Sequence, residues 1–121
     1  MITFKRQKGN QAEDMAAAHL KNLGYKILAR NYTTKEGEVD IIARYKNALV
    51  FIEVKARANN TYGGGLAAVG GAKQAKITKA AIAYIKENKP KFDAIMFDII
   101  AITDGKLEHI KNAFAVEGYL I

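Results

Sequence analysis

Apolar residues near the start of the chain recur every three to four positions, which predicts a helix over residues 11–24. Asn10 can cap its first turn, and Glu13 follows three residues later as in a capping box. The apolar stripe of this helix comprises Ala12, Met15, Ala16, Leu20 and Leu23. We expect this stripe to pack against the rest of the protein.

Three segments rich in β-branched and aromatic residues come next, and their polar flanks are typical of strands. The predicted strands cover residues 25–31, 38–44 and 48–55. The link between the second and third strands is short, which favours an antiparallel hairpin.

A second helix is predicted over residues 72–89, where Pro90 stops it. The glycine-rich residues 56–71 before it predict a mobile loop. The positions expected to face inward on this helix are Ile77, Ala81, Tyr84 and Ile85. Those expected to face outward are Lys73, Lys76, Lys79 and Lys86.

The last part of the chain predicts two more strands, over residues 92–103 and 106–111, joined by a hairpin turn at Asp104-Gly105. Residues 112–121 are apolar enough that we expect them to pack. The order of helix, three strands, helix and two strands favours an α/β fold, with a central mixed β-sheet flanked by α-helices. We expect residues 1–121 to form one domain.

The composition of the chain indicates where in the cell the protein is expected. The chain has no cysteine and needs no oxidising compartment, and its first residues lack the apolar run of a secretory signal. The richest apolar segment, residues 94–102, is interrupted by Asp98 and is too short to cross a membrane. These observations predict a cytoplasmic protein without a membrane partner.

Charge bears on the partner. Nineteen Lys and Arg residues against twelve Asp and Glu residues give a formal net charge of +7. Such a surplus attracts polyanions, so nucleic acid is the leading partner class. The alternative is a soluble protein that is basic for other reasons.

The central hairpin carries the candidate chemistry. Side chains alternate between faces along a strand, so Glu53 and Lys55 point the same way. If the hairpin turns symmetrically about Lys46 and Asn47, Asp40 lies directly opposite Glu53. Opposed carboxylates would be about 5 Å apart at their Cβ atoms and would repel each other, so they need a compensating cation.

A divalent cation such as Mg²⁺ suits this pair, because hard cations prefer carboxylate and carbonyl oxygens. Lys55 could then position or activate an attacking water. The alternative is a surface ion pair between Lys55 and Glu53 or Glu38. The apolar neighbours of these charges count against that alternative.

Two segments resemble a known family. GEVD at residues 37–40 and FIEVKAR at residues 51–57 are similar to the YraN-like family, uncharacterised protein family 0102, and the similarity runs over most of the chain. The resemblance implies a restriction-endonuclease-like fold with a metal centre of the PD-(D/E)XK type. Val39 stands where the general motif has proline, so that motif is fainter here.

Carried over residue by residue, the resemblance implies that Asp40, Glu53 and the main-chain carbonyl of Val54 bind Mg²⁺ or Mn²⁺. It assigns the attacking water to Lys55, and it implies that Glu13 completes the catalytic set, unless Glu13 serves only in the capping box. The family is also similar to Holliday junction resolvases, which share the fold and act as dimers. DNA and a homodimer are therefore expectations of the resemblance.

Two functions remain open. One is a Mg²⁺-dependent endonuclease that hydrolyses phosphodiester bonds in DNA, including branched repair or recombination intermediates. The other is a non-catalytic nucleic-acid-binding protein that retains the nuclease fold. Further candidates for the site are Glu38, Lys73 and Gln74. His19 and His109 are interpreted as satisfied or solvent-facing, and Asp98 as hydrogen-bonded for structural reasons.

Overall fold

The computed structural model describes residues 4–57 and 70–114, so most of the predicted glycine-rich loop lies outside the described residues. The elements within them follow the predicted order. They are α1 (Phe4–Asn22), β1 (Lys26–Thr33), β2 (Glu38–Tyr45), β3 (Ala48–Arg57), α2 (Gly71–Asn88), β4 (Ala94–Thr103) and β5 (Lys106–Ile110).

The five strands form one sheet in the order β1-β2-β3-β4-β5. Three neighbouring pairs are antiparallel, and β3 pairs with β4 in parallel. The parallel pair requires a crossover, and α2 lies in that crossover. The prediction of a central mixed sheet is confirmed.

A helix covers each face of this sheet. The face toward α1 buries Val50 and Ile52, whereas the face toward α2 buries Leu49 and Phe51. This alternation along β3 is the one that the sequence predicts. Because β3 and β4 are buried on both faces of the sheet, their sequences are almost continuously apolar.

The predicted start of α1 is wrong, because the helix begins at Phe4 and Asn10 lies inside it. Residues 5–8 are Lys, Arg and Gln, whose unbranched side chains lose little freedom in a helix, so the helix continues through Gly9. A capping box at Asn10 therefore does not explain Glu13.

The predicted apolar stripe of α1 is partly wrong as well. Met15 and Leu23 are each 42% exposed, and Ala17 is buried in their place. The buried positions Ala12, Ala16, Ala17 and Leu20 are mostly small and let the helix lie close to the sheet. Met15 and Leu23 therefore flank the contact instead of forming it.

Short turns end the elements where the sequence places them. Gly24 at the end of α1 has a φ of 94°, and Lys89 closes α2 in the left-handed region with its N–H donating to the carbonyl of Ile85. After β5, the Phe114 ring stacks on Phe97, with centroids 5.0 Å apart. The start of the tail packs as expected, while residues 115–121 lie outside the described residues.

Within the described ranges, 4–57 and 70–114, neither helix is long and apolar enough to cross a membrane.

Candidate active site

Strands β2 and β3 separate at the candidate site. Their pairing has the predicted register, from Tyr45–Ala48 at the turn to Ile41–Ile52 at the other end. Beyond that point β2 stays paired with β1 as far as Glu38, and β3 stays paired with β4 as far as Arg57. Asp40 and Glu53 are the first residues after the separation, so both stand where the sheet opens.

A main-chain contact fixes Asp40 in this opening. The N–H of Val54 donates a hydrogen bond of 2.8 Å to Asp40 Oδ2. The side chain of Asp40 thus takes the place of the ladder bond that the separating strands no longer make. Because a strand residue directs its N–H and its carbonyl toward the same neighbouring strand, the Val54 carbonyl also belongs to the β2 side.

Glu53 is a buried acid, with only 5% of its surface exposed. Burial, followed by the hydrogen bond with Asp40 and the charge of Asp40, raises the pKa of Glu53 to about 8, and the charges of Lys73 and Lys55 oppose this shift. Two carboxyl groups that interact in this way favour either a shared proton or a bound cation. The side chains of Asp40 and Glu53 thus interact, although β2 and β3 are no longer paired at these two residues.

Two lysines face the same acid. Lys73, in the first turn of α2, places its Nζ 3.5 Å from Glu53 Oε1. Burial lowers the pKa of the half-buried Lys55, and contact with Lys73 lowers it further. Burial also acts to lower the pKa of Lys73, but Lys55, Glu53 and Asp40 outweigh that effect and raise it. Sequence spacing cannot predict the Lys73 contact, which depends on how α2 crosses the sheet.

Glu13 approaches from α1, and its environment differs from that of a surface residue. Its Oε1 is buried and receives no hydrogen bond from the described residues, and Arg30 Nη2 is 3.6 Å away. Burial raises the pKa of Glu13, and the negative charge of Asp40 raises it further. A hydrogen bond with Asn31 and the positive charge of Arg30 act in the opposite direction but do not cancel the shift. Glu13 is thus within electrostatic reach of Asp40, with an acceptor oxygen still available.

A cleft of about 640 Å³ leads to the carboxylates. The turn between β1 and β2 forms one wall, and the first turns of α2 form the other. Asp40, Glu53, Lys73 and the further candidate Glu38 line it, whereas Lys55 and Glu13 are not among its lining residues. The structure therefore brings the two predicted carboxylates to one opening, and Lys55 and Glu13 interact with them electrostatically from outside its lining.

Gly37 sets the distance between the two walls. A Cβ atom built on Gly37 would lie 2.2 Å from the main-chain oxygen of Lys76 on α2. No side chain fits in that space, so only glycine allows this approach. Thr34 holds the turn itself, since its Oγ1 accepts hydrogen bonds from the N–H groups of Glu36 and Gly37.

The donors at this site fit a hard divalent cation. The part of the chain that the structure describes contains no group of three His, Cys, Asp or Glu side chains able to hold a metal by themselves. Mg²⁺ does not require one, because it is usually held by one or two carboxylates and keeps several waters for a substrate phosphate. Asp40, Glu53 and the Val54 carbonyl satisfy that smaller requirement.

A second polar cluster lies away from this site, between α1 and β5. His19 Nε2 is 3.1 Å from His109 Nδ1, and His109 Nε2 is 2.8 Å from Asp98 Oδ2. The N–H of Asn112 donates to the other oxygen of Asp98. The structural interpretation of Asp98 is thus supported, while the contact between the two histidines was not predicted because ninety residues separate them.

Comparison with known sequences places the chain in a family. The profile of the uncharacterised protein family UPF0102 matches residues 12–102. A UPF0102 protein of Sulfurihydrogenibium sp. is 41% identical over 113 residues, covering 93% of this chain and 98% of the relative. Another, from Syntrophotalea carbinolica, is 41% identical and covers 98% of this chain and 100% of the relative.

A third relative, the UPF0102 protein of Thermodesulfovibrio yellowstonii, is 44% identical over 106 residues and covers 88% of this chain and 94% of its own length. The matched region includes α1 from Ala12 onward, the central hairpin and α2, and so contains each candidate site residue. The chain belongs to the uncharacterised protein family UPF0102.

Proposed function

We propose that this protein is a Mg²⁺-dependent endonuclease of the PD-(D/E)XK type, with a restriction-endonuclease-like fold, that hydrolyses phosphodiester bonds in DNA. The observation that carries the proposal is the pair formed by the half-buried Asp40 and the buried Glu53 where β2 and β3 separate, with two lysines beside it. A charge arrangement this costly to bury is typical of a functional site.

Asp40 and Glu53 would hold the cation together with the Val54 carbonyl. The hydrogen bond from the Val54 N–H fixes the orientation of Asp40 before any ligand arrives. Positions set in advance in this way lower the cost of organising the site during the reaction. The bound cation would supply charge stabilisation at the phosphate and a more acidic water.

Lys55 has the role of orienting the attacking water and stabilising the negative charge that develops on the phosphate. In the reaction the water oxygen forms a bond to phosphorus, and the bond from phosphorus to the leaving oxygen breaks. The attacking water loses a proton to the solvent, and the leaving oxygen takes up a proton. Lys55 stands two residues after Glu53 on the same face of β3, which keeps its ammonium close to the carboxylates.

DNA is the proposed substrate because the protein carries a net charge of +7. Branched intermediates of repair or recombination are the preferred class, on the resemblance to resolvases, and a homodimer is the corresponding assembly. The second candidate is a nucleic-acid-binding protein that holds the metal but does not cleave. It rests on the same carboxylate pair and differs only in turnover.

A cleavage assay tests the proposal. Linear, flapped and four-way DNA should be incubated with the protein in Mg²⁺, Mn²⁺ or a chelator. We expect cleavage with either metal, none with the chelator, and a large loss in both Asp40→Asn and Lys55→Ala. Metal-dependent DNA binding without cleavage of any substrate would favour the second candidate.

A further inference from the structure

Lys73 makes a contact that a solvent-facing lysine does not make. Its Nζ lies 3.5 Å from Glu53 Oε1, although 40% of its own side chain is exposed and only 6% of the Glu53 side chain is. Lys73 therefore reaches from the rim of the cleft inward to a buried acid. Because the Lys73 side chain is partly exposed, it can also turn back toward the rim of the cleft.

The contacted carboxylate is the one that would bind the metal. A divalent cation beside Glu53 would repel the Lys73 ammonium at short range, and Lys73 also contacts the amine of Lys55. The lysine and the metal therefore compete for the same oxygen atoms. With the metal in place, the nearest open space for the ammonium is the cleft that Lys73 and Lys76 both line.

We propose that Lys73 is a built-in counter-cation of the Asp40–Glu53 pair, which a divalent metal displaces and which then binds a phosphate of the substrate. In the metal-free protein it stabilises the two carboxylates. Its release into the cleft couples metal binding to nucleic-acid binding. This inference rests on the proposed function and assigns a second role at the same site.

Calorimetric titration with Mg²⁺ tests the competition directly. If Lys73 contacts Glu53 in about nine of ten metal-free molecules, its removal should tighten metal binding by about tenfold. Lys73→Ala should show this gain, and Lys73→Arg should not, because it keeps a cation at the same place. Lys76→Ala is the matched control, since Lys76 lines the same cleft and carries the same charge. It should change the affinity by no more than about twofold.

Thermal unfolding gives a readout that does not depend on activity. In chelator, Lys73→Ala should lower the Tm relative to wild type, because the carboxylate pair loses its cation. Addition of Mg²⁺ should then raise the Tm of Lys73→Ala by more than it raises that of wild type. Equal shifts in the two proteins would contradict the counter-cation role.

DNA binding tests the second half of the proposal. With Ca²⁺ as the metal, Lys73→Ala should bind a fluorescent DNA duplex several-fold more weakly than wild type. In chelator the two proteins should bind equally, since Lys73 is then held by Glu53. An equal loss with and without metal would mean that Lys73 is an ordinary surface cation.

The outcomes separate the two proposals. Wild type that binds Mg²⁺ through Asp40 and Glu53, with Lys73→Ala binding no tighter, overturns this inference and leaves the proposed function in place. Wild type that binds no divalent metal overturns both.

Discussion

Glu53 and Asp40 are two acids that share a buried position, and their neighbours determine what they can do. Burial and the neighbouring Asp40 raise the pKa of Glu53 to about 8, so the ionised pair needs positive charge beside it. Lys73 and Lys55 supply positive charge from the α2 side, and Glu13 adds negative charge from the α1 side. A divalent cation would stabilise the ionised form of these acids.

Substitution of Lys55 distinguishes an effect on catalysis from an effect on metal binding. Lys55→Ala should leave Mg²⁺ binding largely intact, because the proposed metal donors are Asp40, Glu53 and the carbonyl of Val54. The cleavage rate should fall by about a hundredfold or more, which corresponds to roughly 3 kcal/mol of transition-state stabilisation. Single-turnover cleavage beside a calorimetric titration measures both. A variant that cuts as fast as wild type would leave Lys55 with only an ion-pair role.

The histidine cluster makes a prediction about pH. Burial lowers the pKa of His19, and His109 and Lys111 lower it further. The folded protein therefore disfavours the protonated form, and the stability that neutral His19 contributes is present above a pH of about 6.5 and is lost as the pH falls below that value. Asp98 on β4 and the ring of Tyr25, just before β1, also contact His109.

Denaturant unfolding of wild type and His19→Gln at pH values from about 8 to 5 measures this effect. The free energy of unfolding of wild type should fall more steeply on acidification than that of His19→Gln. The difference between wild type and His19→Gln excludes the pH-dependent contributions to stability that both proteins share, including those of Glu13 and Glu53. Parallel curves would show that His19 protonation is not coupled to folding.

At the scale of elements, strands were easier to predict than helix ends. The count across the turn at Lys46 and Asn47 gives the correct register of β2 and β3, because a two-residue turn leaves little choice of pairing. The start of α1 could not be found in this way. Asn10 has the side chain of a good cap, but the chain before it is also a good helix former, and local preference did not decide between them.

The candidate site also has a part that the sequence predicts and a part that it does not. Asp40, Glu53 and the direction of Lys55 follow from one hairpin, so sequence periodicity was enough to bring them together. The contacts from α2 and α1 depend on how the helices lie across the sheet, and no local pattern contains that information. Lys73 could be named as a candidate from its place after the glycines, but its contact with Glu53 required the fold.

Gly37 joins two elements and should be intolerant of change. In Gly37→Ala the new Cβ meets the main-chain oxygen of Lys76, and a helix backbone cannot move aside cheaply. We expect a loss of about 1–3 kcal/mol in unfolding free energy, with weaker metal binding, as the turn shifts away from α2. Denaturant unfolding and Mg²⁺ titration of the purified variant measure the two effects.

Gly71→Ala is the matched control, because a Cβ at Gly71 has nothing within 4 Å and alanine is the better helix former. It should be neutral or slightly stabilising. If Gly37→Ala behaves in the same way as Gly71→Ala, the close approach does not constrain the cleft.

At the scale of the whole molecule, the surplus of positive charge is not concentrated in the cleft. Four acidic and three basic side chains line the cleft, although the chain carries a net charge of +7. The positive surplus that attracts a phosphate backbone must therefore lie mainly outside the cleft. This division suits a protein whose outer surface binds the polyanion while the cleft retains a cation.

That charge distribution predicts a strong effect of salt on DNA binding. Each phosphate contact by Lys or Arg releases counterions, so log K should fall linearly with log salt. Fluorescence anisotropy between about 50 and 200 mM salt should show a loss of at least tenfold for a few such contacts. A flat profile would remove charge as the basis of nucleic-acid binding.

Metal binding by Asp40 and Glu53 is the central claim, and calorimetric titration with Mg²⁺ tests it most directly. The proteins to compare are wild type, the double variant Asp40→Asn/Glu53→Gln, and the control Glu36→Gln/Glu108→Gln. The control removes the same charge from two exposed positions, Glu36 on the wall of the cleft and Glu108 on β5. We predict saturable binding in wild type and in the control, and none in Asp40→Asn/Glu53→Gln. Equal affinity in wild type and in Asp40→Asn/Glu53→Gln, or no binding to wild type, would contradict the account.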